Sequence, residues 1–200
     1  MEYSKKRDDS IILDIFQGQM FKAILCPCEH KNYGIENFLV LHLDFPINEK
    51  KIHSIQDLIC NFLSKEELDE ENKFTCETCK LGQICTKISR IYGYPQILII
   101  QLKRFENKNA RTTNKNSNRI KIDDKIKFET DESKSSTSIQ YSIYAIINHS
   151  GTLSFGHYTA QCLGLKDNNW YNLNDSRVFL TRNPCEFPSE DCYILFYKRL

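Results

Sequence analysis

The residues best suited to chemistry lie in the last third of the chain, where one histidine is followed by two polar residues. His157 opens the run His-Tyr-Thr-Ala-Gln-Cys-Leu, whose alternation is typical of a half-buried strand. A polar turn at 166–169 then predicts that residues 170–173 run back beside this strand as a hairpin partner. The hairpin is expected to bring Asn174 or Asp175 close to His157.

A histidine next to an amide or a carboxylate is the arrangement that orients a general base. One ring nitrogen must face the nucleophile, and a hydrogen bond at the other nitrogen fixes the tautomer and the angle of the ring. The pattern therefore fits a Cys-His-Asn or Cys-His-Asp hydrolase. It also fits a histidine that is hydrogen-bonded at the end of a strand and has no part in chemistry.

Two cysteine pairs form a second candidate site. Cys76 and Cys79 make a Cys-x-x-Cys turn, which lets two thiolates bind one zinc ion. The other close pair is Cys26 with Cys28, which would complete a tetrahedron. The alternative is four unligated thiols at the tip of a loop.

Composition limits the class of protein. The 200 residues are enough to bury a sizeable core, and the net charge of +1 does not predict nucleic-acid binding. No apolar run approaches the length of a membrane span, and the N-terminal residues contain no apolar signal core. The nine cysteines, without a secretion signal, predict reduced thiols and a location in the cytosol or the nucleus.

The elements around these residues predict an α+β fold that is dominated by an antiparallel sheet and has one clear helix. Ser54 and Asp57 are typical of a helix start, and the apolar positions after them fall on one helical face. Apolar runs predict strands at 38–46, 86–90, 97–105, 141–147 and 192–198. Isoleucines between residues 120 and 126, with Phe128, mark an edge pair of short strands, and polar loops are expected at 106–118 and 129–138.

Several motifs together resemble the ubiquitin-specific proteases, a family of papain-like cysteine enzymes that remove ubiquitin. Those that resemble the family's histidine box are Asn148-His149-Ser150-Gly151, Gly156-His157-Tyr158-Thr159-Ala160, Trp170, Asn174-Asp175-Ser176 and Val178. Leu102-Lys103-Arg104-Phe105 and the last strand also match the family, so the likeness runs from about residue 10 to the end. The resemblance implies that His157 is the general base and that Asn174 orients it, with Asp175 as the rival for that role.

The resemblance also implies a domain plan and a metal site. Residues 1–9 are expected to be a disordered leader, and 10–200 a partial catalytic domain with fingers at about 20–90 and a palm at about 91–200. In the family, two Cys-x-x-Cys knuckles hold a structural zinc at the fingertips. This sequence departs from that pattern because Leu25 stands where the first ligand is expected, which leaves Cys26 and Cys28, with His30 as a possible substitute.

The family's Gly-Asn-Thr-Cys box, which opens a helix of the thumb, does not occur in this sequence. We therefore expect fingers and palm without the thumb. The first hypothesis is that the chain is the C-terminal part of a deubiquitinase, inactive alone, that acts on ubiquitin or ubiquitinated proteins with a missing thumb segment. The second is a non-catalytic ubiquitin-binding module. A palm without its thumb would expose apolar surface, which predicts self-association.

Overall fold

The computed structural model describes residues 10–46, 51–109, 112–129, 138–153 and 155–200. The expected leader at 1–9 and most of the polar segment at 129–138 lie outside these residues. The described residues form two compact units, the first within Met1–Leu39 and Cys60–Pro95 and the second within Val40–Ile59 and Gln96–Leu200.

The described residues contain two α-helices, one 3-10 helix and eighteen strands. The α-helices are α1 (Ile11–Phe16) and α2 (Ile55–Leu63), and the 3-10 helix is Pro184–Glu186. The strands are β1 (Gly18–Leu25), β2 (Lys31–Phe38), β3 (Val40–Leu43), β4 (His53–Ser54), β5 (Glu66–Glu67), β6 (Phe74–Thr75), β7 (Gly82–Gln83), β8 (Thr86–Gly93), β9 (Ile97–Leu102), β10 (Phe105–Asn109), β11 (Thr112–Lys115), β12 (Ile120–Lys121), β13 (Lys125–Glu129), β14 (Ser138–Gly151), β15 (Gly156–Leu163), β16 (Trp170–Asn174), β17 (Arg177–Thr181) and β18 (Cys192–Arg199).

Helix α2 is the helix that the sequence predicts. The backbone N–H of Ser54 donates to the Asp57 carboxylate over 2.9 Å, and the N–H of Asp57 donates to the Ser54 hydroxyl over 3.1 Å. This reciprocal pair satisfies two free donors at the helix start. The predicted apolar face is confirmed, since Ile55, Leu58 and Ile59 are buried. Helix α1 was not predicted, and neither α-helix in the described residues is long and apolar enough to cross a membrane.

The first unit is built on a four-stranded antiparallel sheet in the order β2-β1-β8-β5. Strands β1 and β8 pair along most of their length, from Gln19 opposite Gly93 to Leu25 opposite Thr86. Between β5 and β8 lies the short hairpin β6–β7, which carries the Cys76–Cys79 turn. One end of the sheet thus leads into both cysteine pairs.

The second unit is built on an eight-stranded sheet in the order β17-β16-β15-β14-β18-β9-β3, with β13 paired to β14. Its neighbouring strands are antiparallel except for β3 and β9, which are parallel. Strands β9 and β18 are interior in this order, and Ile100 and Leu195 are fully buried, whereas alternate residues of β9 are only half-buried. The predicted fold class, a mainly antiparallel α+β fold, is confirmed.

Four local predictions are wrong. Residues 105–109 and 112–115 pair as an antiparallel hairpin, although their polar composition predicts a loop. Strands β12 and β13 do not pair with each other, because β12 pairs with β4 and β13 with β14. The strand expected at 38–46 is limited to β3, since Phe38 ends β2. Cys60 is exposed, although its place within the predicted helix indicates a packing residue.

Arg104 is a fully buried arginine that ties together segments distant in sequence. Its guanidinium donates to four backbone carbonyls, those of Asn116, Asn118, Ser189 and Cys192, over 2.6–3.4 Å. Its Cζ also lies 4.8 Å from the centre of the Phe45 ring. A structural role, which the sequence predicts for this residue, agrees with these contacts.

Replacing Arg104 with alanine is expected to lower the free energy of unfolding by about 3–5 kcal/mol, because a fully buried guanidinium and its bonds to four backbone carbonyls are lost. Urea denaturation of the two purified proteins measures the difference. The matched control is Lys103→Ala, since Lys103 is exposed and pairs with Asp44 at the surface. That pair is expected to contribute about 0–1 kcal/mol. Equal effects of the two substitutions would contradict the role of Arg104.

Candidate functional site

The histidine strand and its neighbours are in the register that the sequence predicts. Ala160 of β15 lies opposite Leu173 of β16, and the turn at 166–169 connects the two strands. On the other side of β15, His157 lies opposite Ser150 of β14. Because side chains alternate along a strand, those of His157 and Asn174 project from the same face of the sheet.

The structure brings His157 and Asn174 into direct contact. His157 Nε2 lies 2.7 Å from Asn174 Oδ1, whereas the nearest Asp175 carboxylate oxygen lies 4.0 Å from the same nitrogen. The first distance is that of a good hydrogen bond and the second is too long for one. The His157 side chain remains about half exposed, at 48%.

Asp175 belongs to the tight turn that joins β16 to β17. Asn174 lies opposite Arg177, so Asp175 and Ser176 are the two residues of the turn. Asp175 has a φ of 51°, in the left-handed region that aspartate tolerates better than most residues. Its side chain is 79% exposed, and the backbone geometry of the turn accounts for a polar residue at this position.

A polar cavity of about 550 Å³ opens on the second unit beside this hairpin. Asn148, Ser150, Thr159 and Gln161 line it from strands β14 and β15, and residues 181–184 and 187–191 line it from the connection between β17 and β18. Ser150 lies opposite His157 in the register. The volume is in the range of a ligand-sized pocket.

Buried His149 packs beneath the backbone that leads into His157. Its ring centre lies 4.6 Å from that of Tyr158, and its Nδ1 has no hydrogen-bond partner among the described residues. Burial, with a smaller contribution from Lys115, holds the pKa of His149 below its usual value. With its ring packed against Tyr158 in the interior, His149 has a structural role.

Gly156 is required by this packing. A Cβ at this position would lie 2.1 Å from His149 Nε2 and 2.8 Å from the Ser150 carbonyl oxygen. Gly156→Ala is expected to lower the free energy of unfolding by about 1–3 kcal/mol, because a backbone segment or a buried ring must move. Gly34→Ala is the control, since no heavy atom lies within 4 Å of a Cβ there. Urea denaturation measures both, and a Gly156→Ala protein as stable as the control would contradict the packing argument.

Lys115 lies close to the candidate site, and the sequence does not predict this position. Its Nζ donates to the His149 carbonyl oxygen and, over 3.1 Å, to the Asp191 carboxylate. The backbone N–H of His149 in turn donates to the Asp191 carbonyl over 2.8 Å. The polar composition around Lys115 predicts a loop. The hairpin β10–β11 places the lysine next to His149 of β14.

The four predicted metal ligands lie together in the first unit. The Sγ atoms of Cys26, Cys28, Cys76 and Cys79 are all within 4.8 Å of one another. Three of the separations are 3.2, 3.5 and 4.0 Å. In a tetrahedral zinc–thiolate site with bonds of about 2.3 Å, neighbouring sulfurs are about 3.8 Å apart. This cluster could therefore hold a metal ion, and among the described residues His30 lies outside it.

The thiols of the cluster differ in acidity, because burial and hydrogen bonds from neighbouring thiols raise the pKa values of Cys26 and Cys28. The backbone N–H groups of Cys79 and then Thr78 donate to Cys76 Sγ and lower the pKa of Cys76 to about 6. Behind the cluster, buried Cys85 packs with Ile24, Leu68 and Phe74. The prediction that Cys85 is a packing residue is consistent with this position.

The three cysteines of the unit that contains His157 differ from Cys76, because their pKa values are raised. Burial raises the pKa of Cys185 and of Cys192 to about 12, and it raises that of Cys162 as well. A thiol nucleophile requires a lowered pKa, because the thiolate is the reactive form. These three thiols are therefore poorly suited to nucleophilic attack.

One unit with an antiparallel sheet that carries a histidine–amide pair, and another unit with a four-cysteine cluster, together define a class of protein. The fold is papain-like, and it is the fold of the ubiquitin-specific protease Ubp8. The family follows from the sequence comparison, in which the model described as ubiquitin carboxyl-terminal hydrolase matches residues 1–197. The chain belongs to the ubiquitin carboxyl-terminal hydrolase family, as its motifs predict.

Relatives in animals match nearly the whole chain. Ubiquitin carboxyl-terminal hydrolase 2 of Gallus gallus is 33% identical over 202 residues, which cover 97% of this chain and 54% of the relative. Ubiquitin carboxyl-terminal hydrolase Usp2 of Drosophila melanogaster is 30% identical over 203 residues, which cover 99% of this chain and 21% of the relative. The chain thus spans about half or less of the length of these relatives.

Solved structures give the same assignment. A yeast SAGA DUB module with a mutant Sgf73 contains a chain that matches with a TM-score of 0.83 and 28% identity, over 100% of this chain and 45% of that chain. The SAGA Ubp8/Sgf11/Sus1/Sgf73 DUB module bound to ubiquitin aldehyde matches with a TM-score of 0.81 and 28% identity, over 98% of this chain and 44% of that chain.

Proposed function

We propose that this chain supplies the general base and its orienting amide to a cysteine-type deubiquitinase. The observation that carries the proposal is the 2.7 Å contact between His157 Nε2 and Asn174 Oδ1, on a half-exposed histidine. The reaction would be hydrolysis of the bond at the C-terminal glycine of ubiquitin, and the partner would be ubiquitin or a ubiquitinated protein. Family membership and the solved relative bound to ubiquitin aldehyde support this substrate class.

The 2.7 Å contact supports one tautomer of the ring in this proposal. Asn174 Oδ1 is an acceptor, so Nε2 would carry the ring proton and donate a hydrogen bond to the amide oxygen. Nδ1 then has a free lone pair, with which it accepts the proton of a thiol. When a leaving amine departs, Nδ1 returns that proton to it. Asn174 fixes the tautomer throughout, and Asp175 has no direct bond to the ring.

The nucleophile in this proposal is a thiol outside the nine cysteines of this chain. Cys162, Cys185 and Cys192 have raised pKa values, and Cys26, Cys28, Cys76 and Cys79 lie together in a cluster that could hold a metal ion. The sequence around each of the nine lacks the family's cysteine box. We propose that a thumb segment supplies the thiol and that residues 10–200 are the fingers, at about 20–90, and the palm, at about 91–200.

The cluster of four cysteines is proposed to bind structural zinc. The ligands would be Cys26, Cys28, Cys76 and Cys79, whose sulfur separations fit a tetrahedral site. Bound zinc would fix the ends of the first unit by joining the β1–β2 turn to the β6–β7 turn. It would have no part in proton transfer.

A non-catalytic ubiquitin-binding module is the second candidate. The observation that favours it is that burial raises the pKa values of all three cysteines in the unit that contains His157. Such a module would bind ubiquitin without cleaving its conjugates. Titration of labelled ubiquitin with the chain distinguishes binding from its absence.

The deciding experiment uses ubiquitin whose C-terminus carries a thiol-reactive electrophile. This probe is incubated with the chain alone and, separately, with a competent assembly. The competent assembly is the chain combined with the portion of the Gallus gallus relative that lies outside the match. We expect no adduct on the chain alone and one adduct on the added portion, which disappears in the His157→Ala variant. An adduct on a cysteine of this chain would overturn the proposal. Binding without adduct or cleavage in either preparation would favour the second candidate.

A further inference from the structure

The free edge of the large sheet in the second unit is an apolar strand with no described neighbour on its outer side. Strand β17 ends the strand order and pairs only with β16 among the described residues. Val178, Phe179 and Leu180 are 62%, 51% and 64% exposed, so both faces of the strand are open. Natural sheet edges are normally protected by proline, by a bulge or by inward-pointing charges. Residues 178–180 contain no proline or charge, and their pairing with β16 has no register shift.

The hairpin turn determines which backbone groups of β17 are free. In a hairpin with a two-residue turn, the flanking pair, here Asn174 and Arg177, exchanges backbone hydrogen bonds. Bonded positions alternate, so Phe179 also bonds to β16 whereas Val178 and Leu180 direct their N–H and C=O groups outward. The free edge therefore offers two donors and two acceptors, at Val178 and Leu180.

These free groups fit a second copy of the same strand. In an antiparallel pair around a two-fold axis at Phe179, Val178 lies opposite Leu180 of the second copy, and Leu180 lies opposite its Val178. The outward-directed N–H and C=O groups of Val178 and Leu180 then form four hydrogen bonds between the two copies. Between these two bonded pairs, the two Phe179 residues lie opposite each other without a backbone hydrogen bond, and their rings are neighbours. The apolar triplet is thus self-complementary in this register.

Two other registers also place residues with outward-directed backbone N–H and C=O groups opposite one another. Their side-chain pairs are less favourable. A shift of the axis to Val178 places Phe179 opposite Arg177 and Leu180 opposite Ser176. A shift to Leu180 places Phe179 opposite Thr181 and Val178 opposite Arg182. The axis at Phe179 also keeps the two Arg177 side chains at opposite ends of the pair, about 13 Å apart along the strand direction, where they repel little.

We propose that β17 is a self-association surface, through which two copies of this chain join their large sheets by antiparallel pairing centred on Phe179. The apolar triplet begins just after the turn that contains Asp175, so the dimer interface adjoins the His157–Asn174 pair. The proposal does not depend on the proposed function, because it rests on the edge strand alone. The contact is small, and we expect a reversible dimer.

Amide hydrogen exchange on the 200-residue chain tests the pairing at the level of single residues. As protein concentration rises, the Val178 and Leu180 amides are expected to exchange more slowly, while the Phe179 amide, already bonded to β16, does not change. Sedimentation velocity over the same range is expected to show conversion from monomer to dimer. A monomer at every concentration would overturn the proposal, and so would a dimer whose Val178 and Leu180 amides stay unprotected.

Leu180→Lys provides the matched variant, because an exposed edge lysine opposes strand addition and leaves the bonds to β16 in place. It is expected to weaken dimerisation by about tenfold or more, since it removes two Val178–Leu180 contacts. Leu165→Lys, at a fully exposed turn position, is the control and is expected to dimerise like the parent chain. If Leu180→Lys fails to fold, Val178→Lys serves the same purpose, because it places a charge at the other outward-directed position of the edge. Unchanged dimerisation in a folded edge variant would overturn the assignment of β17.

Discussion

Replacing His157 with alanine in the competent assembly is expected to lower kcat by about 10⁴-fold or more. The variant retains the thiol but loses the group that takes its proton and returns it to the leaving amine. Loss of one member of a nucleophile–base set removes most of the rate advantage of the whole set. The measurement is release of a fluorophore joined to the C-terminal glycine of ubiquitin.

Two further variants separate the roles of Asn174 and Asp175. Asn174→Ala removes the acceptor 2.7 Å from His157 Nε2 and is expected to lower kcat by about 10–100-fold, because the ring loses its fixed tautomer and orientation. Asp175→Ala removes a carboxylate that is 4.0 Å from the same nitrogen and 79% exposed, and is expected to change kcat by less than about threefold.

The matched control for these variants is Asp167→Ala, in the turn that precedes β16. Asp167 accepts a hydrogen bond from the Tyr171 hydroxyl over 2.6 Å and has no contact with His157 in the described residues. Its loss is expected to affect the turn and to leave kcat within about twofold. A larger loss in Asp175→Ala than in Asn174→Ala would show that the carboxylate is the orienting group. Full activity of His157→Ala would remove the histidine from the mechanism.

The histidine hairpin could be predicted from the sequence because its signals are local. The alternation after His157, the polar turn at 166–169 and the position of Trp170 are sufficient to define two adjacent antiparallel strands. The sequence narrowed the orienting residue to Asn174 or Asp175. The two residues differ in a way that the sequence does not specify, because Asn174 ends β16 with its Oδ1 2.7 Å from His157 Nε2 and Asp175 lies in the turn.

Two of the wrong predictions depend on contacts with segments that are distant in sequence. At the base of the hairpin formed by residues 105–109 and 112–115, Arg104 and Lys115 donate to carbonyls of Cys192 and His149. Strand β12 pairs with β4, more than sixty positions earlier, so the isoleucines near residue 120 could not reveal the partner. Apolar spacing identifies a strand and its buried face, but it does not identify the neighbouring strand.

The four cysteines were predicted as a set although their motif is irregular. The chain reaches Cys26 and Cys28 through a turn in which Glu29 has a φ of 66°, and it closes the Cys76–Cys79 turn with Lys80 at a φ of 56°. The left-handed backbone at Glu29 and Lys80 directs the two cysteine pairs toward the same point. The Cys-x-Cys spacing is accommodated by this backbone geometry, which the sequence alone does not specify.

Removing the metal is expected to have the largest effect on stability. If zinc joins the two cysteine turns, its binding free energy is part of the folding free energy of the first unit. Even at a metal concentration only about 1,000 times Kd, the bound ion contributes about 4 kcal/mol. A strong chelator is therefore expected to lower the free energy of unfolding by about 4 kcal/mol or more and to expose the amides of β6 and β7 to exchange.

Cys76→Ala is expected to reproduce the effect of the chelator and to reduce bound zinc from about one ion per chain to less than one tenth. Elemental analysis of the purified chain gives the metal content, and urea denaturation gives the stability. Two cysteine variants serve as controls, because Cys85→Ala removes a buried packing residue behind the cluster and Cys60→Ala removes an exposed thiol outside it. Both are expected to retain the metal, with a loss of stability only in Cys85→Ala. A parent chain that contains no zinc after purification with zinc present, or a Cys76→Ala chain that retains it, would show that the four thiols pack together without a metal.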